Sequence, residues 1–97
     1  MPSYLRLPRF NKDHARLSDD EKRAFLEAVR AFVEDLTAHR QPRRSLRVKG
    51  VQGAPGVFEM TWAGDGRATF QFGEPVRESE PHIVWRRVGG HDIFSNP

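Results

Sequence analysis

Ninety-seven residues with a formal net charge of +3 and no cysteine make room for one domain with a modest core. They exclude disulfides and thiolate metal sites. No run approaches the eighteen or more apolar residues of a membrane helix. Arg6 and Arg9 interrupt the only apolar stretch near the N-terminus, so no signal peptide is expected there and a cytoplasmic location fits.

In chain order, Ser3 to Leu7 alternates and ends before Pro8, which predicts a first strand. Phe10, His14 and Leu17 recur at helical spacing and predict a short helix. Ser18-Asp19-Asp20-Glu21 has the form of a capping box, Ser at the cap and Glu three residues later. Its acids suit the positive end of a helix dipole. Phe25, Val29, Phe32 (or Val33) and Leu36 then form one apolar stripe, and the long helix they define should stop near His39, before Pro42.

The remainder reads as strands. Leu46 and Val48 alternate with Ser45, Arg47 and Lys49, which predicts a strand over 45–49. A loop rich in Gly and Pro follows. Phe58, Met60 and Trp62 share one face of a strand over 57–62, opposite Glu59 and Thr61. Ala68, Phe70 and Phe72 share one face of a strand over 67–72, opposite Arg67, Thr69 and Gln71. Gly73 to Pro81 is a polar connection, and a last strand runs over 82–88, with Ile83 and Trp85 inward.

Opposed residues on paired strands share a face. Setting Trp62 and Met60 against Ala68 and Phe70 requires a three-residue loop, Gly64-Asp65-Gly66, with Gly66 left-handed. In this register Glu59 opposes Gln71. It then lies about 13 Å along the strand from Arg67, four steps of about 3.3 Å. The helix stripe covers the apolar face. The other face, with Arg47, Lys49, Glu59, Arg67 and Arg86, has no second long helix to cover it and is expected to be open.

Charge is segregated. Arg40 to Lys49 holds five cations and no acid, whereas Ser18 to Leu36 holds six acids and three bases. A basic face suits an anionic partner, nucleic acid first. The chain closes the last strand with Gly89-Gly90 and then presents His91. The glycines allow a sharp bend, and histidine moves protons near neutral pH. The competing structural reading has His91 bonded to Asp92 or to backbone at a strand end, Arg67 as a surface cation and Glu59 as a cross-strand ion-pair partner. His14, His39 and His82 read as structural or exposed. No histidine spacing suggests a metal site.

Four segments resemble the RelE/ParE toxin superfamily of bacterial toxin–antitoxin systems. Leu46-Arg47-Val48-Lys49-Gly50 resembles its Leu-x-x-Lys-Gly at the start of the sheet. Gly56-Val57-Phe58-Glu59-Met60 resembles its Gly-aromatic-Glu-Leu strand, and Asp65-Gly66-Arg67-Ala68-Thr69-Phe70 its strand after the turn. Val88-Gly89-Gly90-His91-Asp92-Ile93-Phe94 resembles its closing Ile-Gly-x-His-Asp-x-Tyr. The resemblance spans nearly the whole chain. It implies an α+β fold over residues 1–97: an N-terminal strand, one short and one long helix, then a mostly antiparallel sheet packed on the helices.

The resemblance also implies an antitoxin protein partner and, in the RelE-like branch, metal-independent cleavage of ribosome-bound mRNA without a cofactor. Arg67 would then stabilise charge on the scissile phosphate and His91 would act as general acid or base. The chemistry of metal-free cleavage adds Glu59 as the other member of that pair, ranked below Arg67 and His91 because of its distance from Arg67. Arg47, Lys49 and Arg86 would hold RNA phosphates, and the charge of the cluster with Arg43 and Arg44 suits either a further grip on RNA or an ordinary solvated loop. Phe94 stands where the family often has Tyr, and Glu59 where some nuclease members carry Lys. The gyrase-inhibiting branch, or a binding module without nuclease activity, are the alternatives.

Overall fold

The computed structural model describes residues 2–97. Strand β1 (Ser3–Arg6) leads into helix α1 (Pro8–Ala15) and helix α2 (Asp19–Thr37). A 3₁₀ turn (Arg44–Leu46) precedes β2 (Lys49–Gly50), β3 (Phe58–Thr61), β4 (Arg67–Gly73) and β5 (His82–Gly89), and a second 3₁₀ turn (His91–Ser95) follows. The strands form one sheet in the order β1-β5-β4-β3-β2, with β1 parallel to β5 and the other pairs antiparallel. This is the expected α+β arrangement.

Helix α2 begins at its expected capping box, whereas α1 begins at Pro8 and ends at Ala15, two residues ahead of the Phe10 to Leu17 stretch that the spacing suggested. Pro8 supplies a preset φ at the first position of α1, where its missing N–H costs nothing. The capping box of α2 closes in both directions: Glu21 N donates to Ser18 Oγ at 3.1 Å and Ser18 N donates to Glu21 Oε1 at 2.8 Å. Phe25, Ala28 and Phe32 of α2 are buried against Phe70 and Trp85 of the sheet. Ring centroids lie 5.0 Å apart for Phe32–Phe70, 5.5 Å for Phe70–Trp85 and 5.6 Å for Phe25–Trp85. Phe10 of α1 joins the same cluster, 6.0 Å from Trp85.

Residues 45–49 do not form a strand. The chain makes the 3₁₀ turn instead, Arg47 takes a left-handed conformation (φ 47°, ψ 46°), and only Lys49 and Gly50 pair with β3. The cause lies in α2. Asp35 is buried, 2% exposed, and its carboxylate accepts from Arg43 backbone N (2.9 Å), Arg43 Nε (2.9 Å), Arg43 Nη2 (2.9 Å) and Arg40 Nη2 (3.0 Å). That knot ties the chain to the end of α2 and forces it to turn. Leu46 is buried by the turn rather than by strand alternation. The hydrogen bonds from Arg43, above all, hold the Asp35 carboxyl far below the usual carboxylate range, against the opposing effect of burial.

The β3–β4 register differs from the expected one by two residues. Phe58 pairs with Phe70, Glu59 with Thr69, Met60 with Ala68 and Thr61 with Arg67. An even shift leaves every side chain on its expected face, so the core is unchanged. The loop is Ala63-Gly64-Asp65, closed by Trp62 N to Gly66 O (3.1 Å) and Gly66 N to Ala63 O (3.2 Å). Gly66 is not left-handed; positive φ occurs at Gly53 and Gly56 among the glycines. Gly66 is needed for space, because a Cβ there would sit 2.6 Å from the Trp62 ring.

Two further expectations change. The outer sheet face is partly covered. Thr69 is fully buried and donates its Oγ1 proton to Pro97 O at 3.1 Å, beside Arg86 Nε at 3.1 Å from the same oxygen. Phe72, expected in the core, is 48% exposed. α2 ends before it can cover that end of the sheet, leaving a groove beside Leu36, Val48 and Phe58. A bulge in β5 also shifts the pattern: Thr69 faces Arg87 and Phe70 faces Trp85, so Arg86 is unopposed and the inward positions run 83, 85, 88.

Phe70→Ala should cost about 3–5 kcal/mol in equilibrium denaturation, because it empties the centre of the aromatic cluster. An unchanged midpoint would contradict this packing. The buried acid has a separate signature. With its folded-state pKa depressed below an unfolded value of about 3.9, Asp35 contributes stability above that value, and the contribution is lost as pH falls. In Asp35→Asn, stability at neutral pH should drop and its dependence on pH between about 2 and 4 should become shallower. An unaltered slope would show that Asp35 is not the group responsible.

Candidate functional site

The site is built around the Ala63–Gly66 turn. Arg67, the first residue of β4, folds its guanidinium back over it. Its Nη1 lies 3.4 Å from Ala63 O, 3.2 Å from Gly64 O and 3.0 Å from Gly66 O. Trp62 Nε1 donates to Arg67 O at 2.9 Å, so an indole and a guanidinium clamp the turn together. Asp65 stands at the loop's end, exposed, with Oδ1 2.6 Å from His91 Nδ1.

His91 reaches this position because Arg67 pairs with Gly89 across β4 and β5, and Gly90 then redirects the chain. A Cβ on Gly90 would lie 2.6 Å from Asp65 Oδ2, so a larger residue there would oblige the carboxylate to shift. The His91 ring is 60% exposed and meets Phe94 edge-on at 5.8 Å. The hydrogen bond from His91, first of all, holds the Asp65 carboxyl below its usual range, and the nearby charge of Arg67 acts the same way. The partner of His91 is thus Asp65, 26 residues away in sequence, not its neighbour Asp92.

A cleft of about 580 Å³ opens on the other side of Trp62, between α2 and the turn. Arg47, Arg67 and Arg43 line it with Thr61, Glu27 and Ala28. Arg43 is committed to Asp35, and so the two guanidinium groups without a carboxylate partner there are those of Arg47 and Arg67. The β3–β4 register brings Glu59 closer to Arg67 than expected. Glu59 pairs with Thr69 and Arg67 with Thr61, an offset of two residues or about 7 Å along the sheet. Glu59 is largely buried and lies 4.0 Å from Lys49 Nζ.

The structure therefore gathers Arg67, Arg47 and His91 around one turn and leaves Glu59 and Lys49 beside each other on the adjoining strands. Arg44 is exposed on the 3₁₀ turn. Arg86 is bonded to Gln71 Oε1 at 2.6 Å and to Pro97 O. His14 and His82 have structural partners, and His39 is exposed just beyond the end of α2. His14 stacks on Phe10 at 6.0 Å, and burial, then Arg6 and Lys22, pushes its pKa down. His82 Nδ1 lies 2.8 Å from Ser3 Oγ. Among the described residues no group of three or more His, Cys, Asp or Glu side chains is placed to hold a metal ion, and no helix is long and apolar enough to cross a membrane.

No sequence family and no curated protein matches the chain. Solved structures do. A copper-bound mutant toxin from Helicobacter pylori superposes with a TM-score of 0.69 at 15% identity, covering 95% of this chain and 97% of that one. A chain of the E. coli DinJ–YafQ toxin–antitoxin complex gives 0.65 at 11% identity, over 94% and 93%. A chain of the RelB–RelE antitoxin–toxin complex from Methanococcus jannaschii gives 0.60 at 15%, over 95% of both. The fold is that of the RelE/YafQ toxins.

Within this RelE/YafQ fold, Asp65 is the site residue that sequence reasoning passed over. It was visible only as the middle of a Gly-Asp-Gly turn, and its link to His91 depends on strand pairing. Arg47 carries a test of its own. A left-handed conformation costs a non-glycine residue about 1–2 kcal/mol, so Arg47→Gly should unfold at the same denaturant concentration as wild type or higher. A clearly lower midpoint would mean that the Arg47 side chain holds the fold together.

Proposed function

We propose that this chain is the toxin of a toxin–antitoxin pair, acting as one unit over residues 1–97 in the cytoplasm as a ribosome-dependent mRNA endonuclease, with a cognate antitoxin protein as its inhibitor. Its likeness in fold to proteins solved as toxins, and as toxin–antitoxin complexes, supports the toxin role. The observation that carries the nuclease reading is an exposed imidazole, His91, held by a carboxylate at the rim of a turn that also carries Arg67.

The chemistry needs no cofactor. A base takes the proton of the RNA 2′-OH, and the 2′-oxygen attacks phosphorus and forms a 2′,3′-cyclic phosphate. The P–O5′ bond breaks, and an acid protonates the departing 5′-oxygen. His91 is assigned as the acid, its protonated ring giving up the Nε2 proton, and Glu59 as the base. Arg67 spends Nη1 on the turn and offers its remaining N–H groups to the phosphate oxygens, where charge builds. Arg47, with Arg44 and Lys49, holds flanking phosphates by contacts that give affinity without reading sequence. Arg43 and Arg86 act through the fold, since their guanidinium groups are already bonded. The Lys49–Glu59 pair favours a second reading, in which Glu59 is a structural partner and the protein arrests growth by binding, as gyrase inhibitors do.

Induced expression in a bacterial host, with the 5′ ends of cellular mRNA mapped, tests the reading. Wild type should arrest growth and create new in-frame 5′ ends, while His91→Ala and Arg67→Ala should each relieve arrest. Arrest that persists in both variants, or arrest without new 5′ ends, would reject the nuclease site and favour the binding reading.

A further inference from the structure

We propose that Asp65 is a positioning residue for His91: it fixes the imidazole with the proton on Nδ1 and leaves Nε2 as the nitrogen that exchanges protons, an inference that rests on the proposed nuclease reading only for its effect on cleavage. The contact between Asp65 Oδ1 and His91 Nδ1 is 2.6 Å. An ionised carboxylate can only accept a hydrogen bond, and the Asp65 carboxyl is held below its usual range. Nδ1 must therefore carry the hydrogen, and a neutral His91 has its lone pair on Nε2. One nitrogen's hydrogen bond decides the chemistry of the other.

The arrangement is built from both sides. Arg67 and Trp62 hold the turn that bears Asp65, through the Ala63, Gly64 and Gly66 carbonyls and through Arg67 O. Gly90 leaves room for the Asp65 carboxylate as it stands, whose Oδ2 would lie 2.6 Å from a Cβ there. Phe94 meets the ring edge-on from one side at 5.8 Å. Asp65 and His91 are 77% and 60% exposed. A screened surface pair of this kind adds little to stability, so its consequence is the choice of tautomer rather than the folding of the chain. Arg67 consequently serves twice, once toward phosphate and once by holding the turn on which Asp65 stands.

The tautomer can be read without any cleavage assay, by long-range ¹H–¹⁵N correlation of the His91 ring in labelled protein at about pH 8.5, where an ordinary imidazole is neutral. Wild type should show the Nδ1–H form in excess. Asp65→Ala should lose that excess at an unchanged melting temperature, and Asp65→Asn, whose amide oxygen still accepts, should keep part of it. On ribosome-bound mRNA, Asp65→Ala should lower kcat by about 10²-fold, the lower end of what a positioned acid or base supplies, with KM unchanged. A wild-type ring bare at Nδ1, or the same tautomer in Asp65→Ala, would overturn the inference. A tautomer that follows Asp65 in a protein that cuts no RNA would uphold it and sink the nuclease reading alone.

Discussion

One guanidinium holds together the end of this molecule that carries the candidate site. Arg67 Nη1 collects the carbonyls of Ala63, Gly64 and Gly66, while its own carbonyl accepts from Trp62 Nε1. The Gly66 and Ala63 carbonyls already accept from Trp62 N and Gly66 N, and the guanidinium adds a second donor to both and reaches Gly64 O as well. That fixes the turn, the turn fixes Asp65, and Asp65 meets His91 at the end of the neighbouring strand. The glycines at 66 and 90 follow from the same geometry. One admits the Trp62 ring and the other admits the Asp65 carboxylate.

A second knot sets the opposite wall of the cleft. Asp35 is buried in α2 and is satisfied by both the backbone and the side chain of Arg43 and by Arg40. A buried carboxylate left unpartnered is strongly destabilising, which is why it dictates the local path of the chain. The turn it enforces puts Arg47 into a left-handed conformation on the rim of the cleft that Arg67 also lines. The segregation of acids and bases in the sequence thus resolves partly into direct pairing. Of the five cations between 40 and 49, Arg40 and Arg43 neutralise α2, and Lys49 faces Glu59.

Much of this was legible beforehand, for identifiable reasons. The capping box and apolar stripe of α2 are local signals with strong periodicity, and they placed the helix closely. The faces of β3 and β4 followed from alternation, and they survived a two-residue error in register because the side-chain period of a strand is two. Local patterns could not reveal the role of Asp35, since nothing in the sequence distinguishes a buried acid from a solvated one. The supposed strand over 45–49 failed for the same reason: its alternation was real, but a tertiary ion pair overrode it. The bulge opposite Thr69 and Phe70 and the cover over Thr69 depend on contacts between segments far apart in sequence. His91 and Arg67 stood out through their settings after glycine turns, but Asp65 became visible only when β4 and β5 were paired.

The proposed chemistry turns on a ribose hydroxyl as the nucleophile. It is tested most directly by presenting purified protein with ribosome-bound mRNA of identical sequence, carrying either ribose or 2′-deoxyribose at the cleaved position. The account predicts cleavage of the ribose message, with a 2′,3′-cyclic phosphate on the upstream fragment, and none at the deoxy position. Cleavage of both messages at that bond, or of neither, would contradict it.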